Sequence, residues 1–371
     1  MLLLRASRPS RLKNSFAGLM VLVAGTACAW QPNLTPRGED AWLLLRRVFA
    51  EPFPMDVVAI QDRLPTDGRS PVLVKLIVSK RRSLVSQVLQ PTARQGYVVL
   101  DDGSVLKSYD PDSKTITTQP SPNLYRPKLS DRMQWAKENY DATIEGTDDI
   151  AGRKGVVVRL KPHYSQVPGR RMTVDMKQPF LLRSEKISGG EWLKTVDTKD
   201  VTYGRSSEHD NLEELFPDDS RTETTWGPKP VAKIDPAGLA TALGFTPEEP
   251  DEIPYGFHVV TRSAVGSSWD DASLAYRLSD GVATVTVYAW SPSKVPSGPP
   301  GTSSLKVSGK KGVRFSAIGD VPRNVLKDLA TAFSRAERSA WELTPGSDSL
   351  PRIFERPSRR ITTIPPSDLN E

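Results

Sequence analysis

Cysteine is all but missing: Cys28 stands alone in a chain of 371 residues. One thiol cannot close an intramolecular disulfide, so any folded part must be held by a buried core. Histidine is nearly as scarce, and His163, His209 and His258 are isolated along the chain. That spacing argues against a zinc site, which needs clustered His, Cys or carboxylate ligands. No Gly-x-Ser-x-Gly elbow surrounds any serine, and Gly309-Lys310 has Ser304 where a phosphate loop needs glycine. Glu248, Glu249, Asp251 and Glu252 read as a solvated acidic linker rather than an acid/base cluster. We therefore expect no enzyme, no cofactor and no metal.

Long apolar runs are absent as well. The longest, Ser15 to Ala29, falls short of the roughly 20 residues that span a bilayer and is followed by polar Gln31, Asn33 and Thr35. Arg5, Arg8, Arg11 and Lys13 precede its apolar centre, Phe16 to Ala24. Basic residues, a short apolar stretch and small residues at its end are the pattern of a secretory signal, expected over residues 1–29. The expected location is the periplasm or cell envelope. Two cleavage readings stay open at Cys28. Ala27-Cys28-Ala29 fits ordinary cleavage, and Gly25-Thr26-Ala27-Cys28 loosely fits a lipoprotein signal. Gly25 stands where a lipobox usually has leucine, which favours ordinary cleavage. Removing the signal takes those four basic groups and lowers the net charge from +6 to +2. With both signs interspersed in what is left, no nucleic-acid partner is expected.

The remainder is patterned for folding. Ala41, Trp42, Leu44, Leu45, Val48 and Phe49 recur at helical spacing and predict an amphipathic helix over Glu39 to Ala50. Short β-branched runs follow at Met55–Gln61, Val72–Ser79, Leu84–Leu89, Tyr97–Leu100, Val105–Tyr109 and Thr115–Thr118. Turn residues such as Asp101-Asp102-Gly103 lie between them, too few for parallel crossovers, so the strands predict an antiparallel meander. A second helix, capped by Ser130, is predicted to run to Asn139. Strands follow at Asp141–Glu145, Gly155–Pro162, Arg171–Asp175, Leu181–Ile187 and Leu193–Tyr203. Weak alternation in Val72 to Val78 suggests a sheet apolar on both faces in part.

The stretch Pro217 to Pro230 reads as linker, and Asp235-Pro236 as the cap and first turn of a helix that Gly244 ends. A second unit is predicted from strands at Phe257–Arg262, Ser273–Leu278, Ala283–Trp290 and Val313–Ile318. Its closing helix, from Pro322 to about Arg338, shares Val325, Leu326, Leu329, Ala330 and Phe333 on one face. Ser291 to Ser304 reads as a Pro/Gly/Ser loop, and the residues from Thr344 as a disordered tail. The fold class is thus α+β, a large antiparallel sheet with covering helices followed by a smaller α/β domain. The expected domains are 30–210, a linker with short helices at 211–250, a C-terminal domain at 251–338 and a tail at 339–371.

Several ordered blocks are similar to one family. Tyr109-Asp110-Pro111-Asp112 fits its strand turn, and Tyr140 with Gly146-Thr147 and Ala151-Gly152-Arg153 fits its long hairpin. Ile253-Pro254-Tyr255-Gly256-Phe257, Ser279-Asp280-Gly281 and Gly319-Asp320-Val321-Pro322 fit its second domain. Together they resemble the MucB/RseB regulators of envelope-stress sigma factors, whose first domain is similar to the lipoprotein carriers LolA and LolB.

That resemblance implies a curved, half-open β-barrel that holds an acyl lipid or lipoprotein, joined to a sandwich-like domain. It also implies an anti-sigma factor as partner, with lipid and partner binding linked. On this reading Val74, Leu76, Val78, Val99 and Val157 line the acyl site, and Phe257, Asp280, Gly281 and Tyr288 belong to the partner-binding domain. The alternative is a LolA-like carrier of outer-membrane lipoproteins. The second domain favours the regulator, because a simple carrier does not need it.

Overall fold

The computed structural model describes residues 38–49, 55–64, 70–80, 84–121, 126–210, 212–218, 220–224, 229–230, 243, 245–246, 248–265, 272–291, 305–308 and 312–339. The expected signal sequence, all but Leu243 of the helix opened by Asp235-Pro236, most of the Ser291–Ser304 loop and nearly all of the tail lie outside them.

Helix α1 (Gly38–Phe49) leads into β1 (Val57–Arg63), β2 (Val72–Val78), β3 (Leu84–Gln90), β4 (Val98–Asp101), β5 (Val105–Asp110) and β6 (Thr115–Pro120). Helix α2 (Leu129–Asn139) separates these from β7 (Tyr140–Ile150), β8 (Arg153–Pro162), β9 (Arg170–Asp175), β10 (Leu181–Ser188) and β11 (Glu191–Tyr203). With β12 (Arg221–Thr224) they form one open sheet of 12 strands in the order β12-β6-β5-β4-β3-β2-β1-β11-β10-β9-β8-β7. Each half is a meander, and the pairing of β1 with β11 joins them. The register shifts at Ile60/Gln61, Leu73/Val74, Ile144/Gly146, Leu181/Arg183 and Ser184/Glu185. Such bulges bend and twist a strand, which is how a sheet this wide curls instead of lying flat.

The second sheet has six strands in the order β13-β14-β15-β16-β18-β17. They are β13 (Lys229–Pro230), β14 (His258–Val265), β15 (Ser273–Ser279), β16 (Thr284–Trp290), β17 (Leu305–Ser308) and β18 (Arg314–Gly319), followed by α3 (Arg323–Ser339). Val325, Leu326, Leu329, Ala330 and Phe333 are all buried against this sheet, as their spacing predicts.

Three local expectations are corrected. Ser130 is not the cap of α2, because the helix starts one residue earlier and the Ser130 hydroxyl donates to Asp131 Oδ1. The stretch read as linker supplies β12, parallel to β6, and β13 on the second sheet. The strand β17 has no counterpart in the sequence reading.

Helix α1 seals one end of the larger sheet. Ala41, Leu44, Leu45, Val48 and Phe49 meet Val156, Val158, Leu160, Met172 and Val174 in one core. Leu44 has no exposed surface. Leu44→Ala is expected to cost about 3 kcal/mol by loss of transfer energy and creation of a cavity, read as a lower urea midpoint at unchanged slope.

Candidate functional site

Alternation along β2 sends Val74, Leu76 and Val78 to one face. Val74 pairs with Val88, Leu76 with Ser86 and Val78 with Leu84, while Ser86 in turn pairs with Val99 of β4. The four residues expected to line an acyl site on these strands therefore share a face, and each is at most 4% exposed. They divide among three apolar clusters. Val157 is elsewhere. Cross-strand pairs carry Val72 through Arg63, Val196, Ser184 and Met172 to Val158 on this face, and Leu73 through Asp62, Asp197, Arg183 and Thr173 to Val157 on the other.

The same face holds a polar group that the sequence reading missed. Arg63 Nε and Nη2 donate to Gln61 Oε1 at 3.0 and 2.8 Å, and Gln61 Nε2 donates to Thr198 Oγ1 at 3.1 Å. Burial pushes the guanidinium down to about 10.

Another concentration of buried polar groups joins the two sheets. In the turn between β15 and β16, Asp280 Oδ1 accepts from the backbone N–H groups of Val282 and Ala283 at 2.8 and 2.6 Å. Its Oδ2 accepts from the Tyr140 hydroxyl, at the start of β7, at 2.7 Å. Asn139 Nδ2 donates to the carbonyls of Gly256 and Asp280 at 3.0 and 3.1 Å, and Arg132 Nε to that of Gly281 at 3.1 Å. Val282, at the tip, is buried in the core that α1 and α2 share.

A second set of bonds flanks the first. Arg170 Nη1 meets Asp320 Oδ2 at 2.7 Å and its Nη2 donates to the Asp320 carbonyl at 2.9 Å, while Lys186 Nζ reaches Asp320 Oδ1 at 2.5 Å. Trp135 stacks on His258 at 4.6 Å between centroids. Burial alone would raise Asp320, but Arg170 and Lys186 outweigh it and hold its carboxyl below the usual range. Burial wins at Asp280, whose pKa is raised although Tyr140, two backbone N–H groups and Arg170 all favour the anion. Tyr140 is raised far above an ordinary phenol by burial and by the Asp280 charge.

The four residues assigned to a partner-binding domain thus have distinct surroundings. Phe257 lies in the core of the smaller sheet. Asp280 and Gly281 are taken up by the junction, and Tyr288 is partly buried opposite Ala275 and Ser316. Among the described residues no group of three or more His, Cys, Asp or Glu could hold a metal, and no helix is long and apolar enough to cross a membrane.

The raised pKa of Asp280 has a testable sign. Its folded pKa lies above the unfolded value near 3.9, so the folded state binds the extra proton. This group therefore adds stability as pH falls through its folded pKa, and withholds it at neutral pH. Asp280→Asn keeps an acceptor for the two N–H groups and an amide for the Tyr140 oxygen. The stability of the native protein relative to this variant is expected to grow between neutral pH and about pH 4, read by urea unfolding at several pH values.

Comparison with known proteins agrees with this architecture. The family model of the MucB/RseB N-terminal domain matches residues 87–216. No curated protein matches. Among solved structures, a crystal structure of MucB is similar with a TM-score of 0.51 and 14% identity, covering 79% of this chain and 97% of that one. The Pseudomonas aeruginosa MucA/MucB complex gives a TM-score of 0.50 and 15% identity, covering 79% and 95%. At these identities the likeness is one of fold.

Proposed function

We propose that this chain, which resembles the MucB/RseB family in its first domain and MucB in its fold, is an extracytoplasmic, non-enzymatic regulator that binds a membrane anti-sigma factor. The observation that carries the reading is the extent of the structural likeness. A match covering 79% of this chain reaches past the larger sheet into the smaller one. Acyl capture alone needs only a half-barrel, whereas a second unit bonded to it through Tyr140, Asn139 and Arg170 suits a protein whose second surface is also used. In the Pseudomonas aeruginosa structure the MucB chain is in complex with MucA.

Lipid sensing is the finer part of the proposal. Val74, Leu76, Val78 and Val99 are already buried, so an acyl chain reaches them only by opening the half-barrel. That gives lipid a preference for one state over another, which any linkage to partner binding requires. Polar Arg63 and Gln61 on the same face would meet the carboxyl end of such a chain.

The test is a pull-down from membrane extracts with the chain from residue 30 onward, followed by mass spectrometry of proteins and extracted lipids. Recovery of a single-span membrane protein, released when acyl lipid is added, is the expected result. Recovery of lipoproteins or acyl lipid alone would overturn it in favour of a carrier.

A further inference from the structure

We propose that Arg63 makes the sheet face carrying Val74 and Leu76 selective for an ionised fatty acid, a single acyl chain ending in a carboxylate, over the esterified chains of a lipoprotein or phospholipid. This selectivity presupposes the lipid sensing proposed above and adds the chemistry of the lipid's polar end. On this face Arg63 sits between Val72 of β2 and Val196 of β11. Val72, Val74 and Val88 pack with Tyr97 in one apolar cluster beside it. Arg63 is 8% exposed, Gln61 1% and Thr198 3%.

An arginine this far from water ordinarily faces a carboxylate, because burying an uncompensated charge is costly. The carboxylates nearest in the register, Asp62 and Asp197, belong to the opposite face. There Lys199 Nζ meets Asp62 Oδ2 and Asp197 Oδ2 at 2.9 Å each, and Arg183 Nε meets Asp197 Oδ1 at 2.7 Å. Among the described residues the Arg63 guanidinium donates only to one amide oxygen, Gln61 Oε1, and its Nη1 has no partner. Arg170 shows what a counter-ion does at comparable burial. Burial lowers its pKa, but Asp320, Tyr140 and Asp280 outweigh that and hold it above the ordinary value, whereas Arg63 is lowered by burial with no charge among the described residues acting against it.

The geometry of the fork selects the class of anion. Nε and Nη2 lie on one edge of the guanidinium and converge on the single Gln61 oxygen at 3.0 and 2.8 Å, where a carboxylate would give each of them an oxygen of its own. Gln61 is thus a neutral occupant of a carboxylate's place, tethered by its Nε2 to Thr198 Oγ1 at 3.1 Å. One cation calls for one negative charge, which a fatty acid carries at its end. The phosphate of a phospholipid also carries one, but with an ester oxygen and carbon on either side, and a guanidinium enclosed by strands on both sides is approached by the end of a chain more readily than by its middle. The cluster of Val72, Val74 and Val88 is the apolar surface beside that end, along which the chain would lie once the half-barrel opens.

The test uses the chain from residue 30 onward and three single-chain probes of equal length, kept monomeric: decanoate, decanol and decylphosphocholine. They are titrated by calorimetry and by thermal unfolding at about pH 8, where the acid is ionised. Decanoate is expected to bind saturably and at least about tenfold more tightly than the other two, as a hydrogen-bonded charge pair warrants. Arg63→Gln removes the cation, and Gln61→Glu puts a carboxylate of the chain's own where the ligand's would go. Both should bring decanoate down to the level of decanol, while decanol binding and cooperative unfolding persist. The ratio of acid to alcohol is the readout, because a merely structural loss lowers both alike. Equal binding of acid and alcohol by the native chain, an acid preference that survives both substitutions, or decylphosphocholine bound as tightly as decanoate would overturn the assignment and leave lipid sensing standing. Binding of none of the three would overturn lipid sensing itself, and the assignment with it.

Discussion

Gly281→Ala is expected to destabilise the protein by about 3 kcal/mol or more and to uncouple the two units. Gly281 has φ +94°, and a Cβ on it would lie 2.3 Å from the backbone N of Ala136, 2.6 Å from the carbonyl oxygen of Arg132 and 2.7 Å from the Ala136 Cα. All three are backbone atoms of α2, so no side chain can swing aside. The helix or the turn must move. Either motion pulls Asp280 from Tyr140 and Asn139 and lifts Val282 out of the core under α1.

Gly103 is the natural control. It has φ +86° in the turn between β4 and β5, but a Cβ there meets nothing within 4 Å. Gly103→Ala should cost only the left-handed conformation itself, about 1 kcal/mol. Thermal unfolding followed by circular dichroism gives both numbers. For Gly281→Ala it should show a broadened or split transition, as one cooperative unit becomes two. Equal effects in the two variants would mean that the approach of α2 to the turn contributes little.

The contrast between these glycines marks where sequence reading reaches its limit. Asp280-Gly281 reads correctly as a hairpin turn, because turn chemistry is local and the flanking runs alternate. Its second role depends on a helix about 150 residues earlier, and no pattern within the turn encodes that approach. The same holds for Tyr140 and Asp320, which appear in blocks recognisable by resemblance while their partners across the junction stay hidden.

Local signals served the meanders well. The runs at Val72, Leu84, Val105 and Gly155 became β2, β3, β5 and β8 within a residue or two. They failed at β12, where Arg221 to Thr224 offer no apolar alternation and join the sheet only by backbone pairing with β6. Ser130 shows a subtler failure. A serine before an apolar run reads as a cap, yet α2 begins at Leu129 with Lys128 preceding it and no side-chain cap. The acyl-site expectation divided by sheet geometry, since Val157 reads no differently from Val156 or Val158 until pairing assigns it to the other face.

Arg170→Ala should cost about 3 kcal/mol. The residue is 4% exposed and holds Asp320 through both its carboxylate and its backbone carbonyl. Its Nε is buried without a hydrogen-bond partner, so the arginine carries an unmet desolvation cost that Asp320 chiefly offsets, helped by the charge of Asp280. Breaking a buried pair from one side costs roughly 3–5 kcal/mol, chiefly through the charge left behind. The lower end applies, because Lys186 remains bonded to Asp320.

The sign with pH is opposite to that of Asp280. Asp320 is depressed below its unfolded value near 3.9, so its contribution is complete above that pH and is lost as pH falls through its folded pKa. The gap between native protein and Arg170→Ala should therefore hold from pH 7 to about 4 and narrow below it. If the ion pair specifies the docking of the two units rather than stabilising them, Arg170→Met with Asp320→Leu should recover most of the loss in urea, since an apolar pair of similar volume avoids desolvation altogether. A double variant as unstable as Arg170→Ala would instead place the stabilisation in the charges themselves, with Lys186 as an obligatory third member.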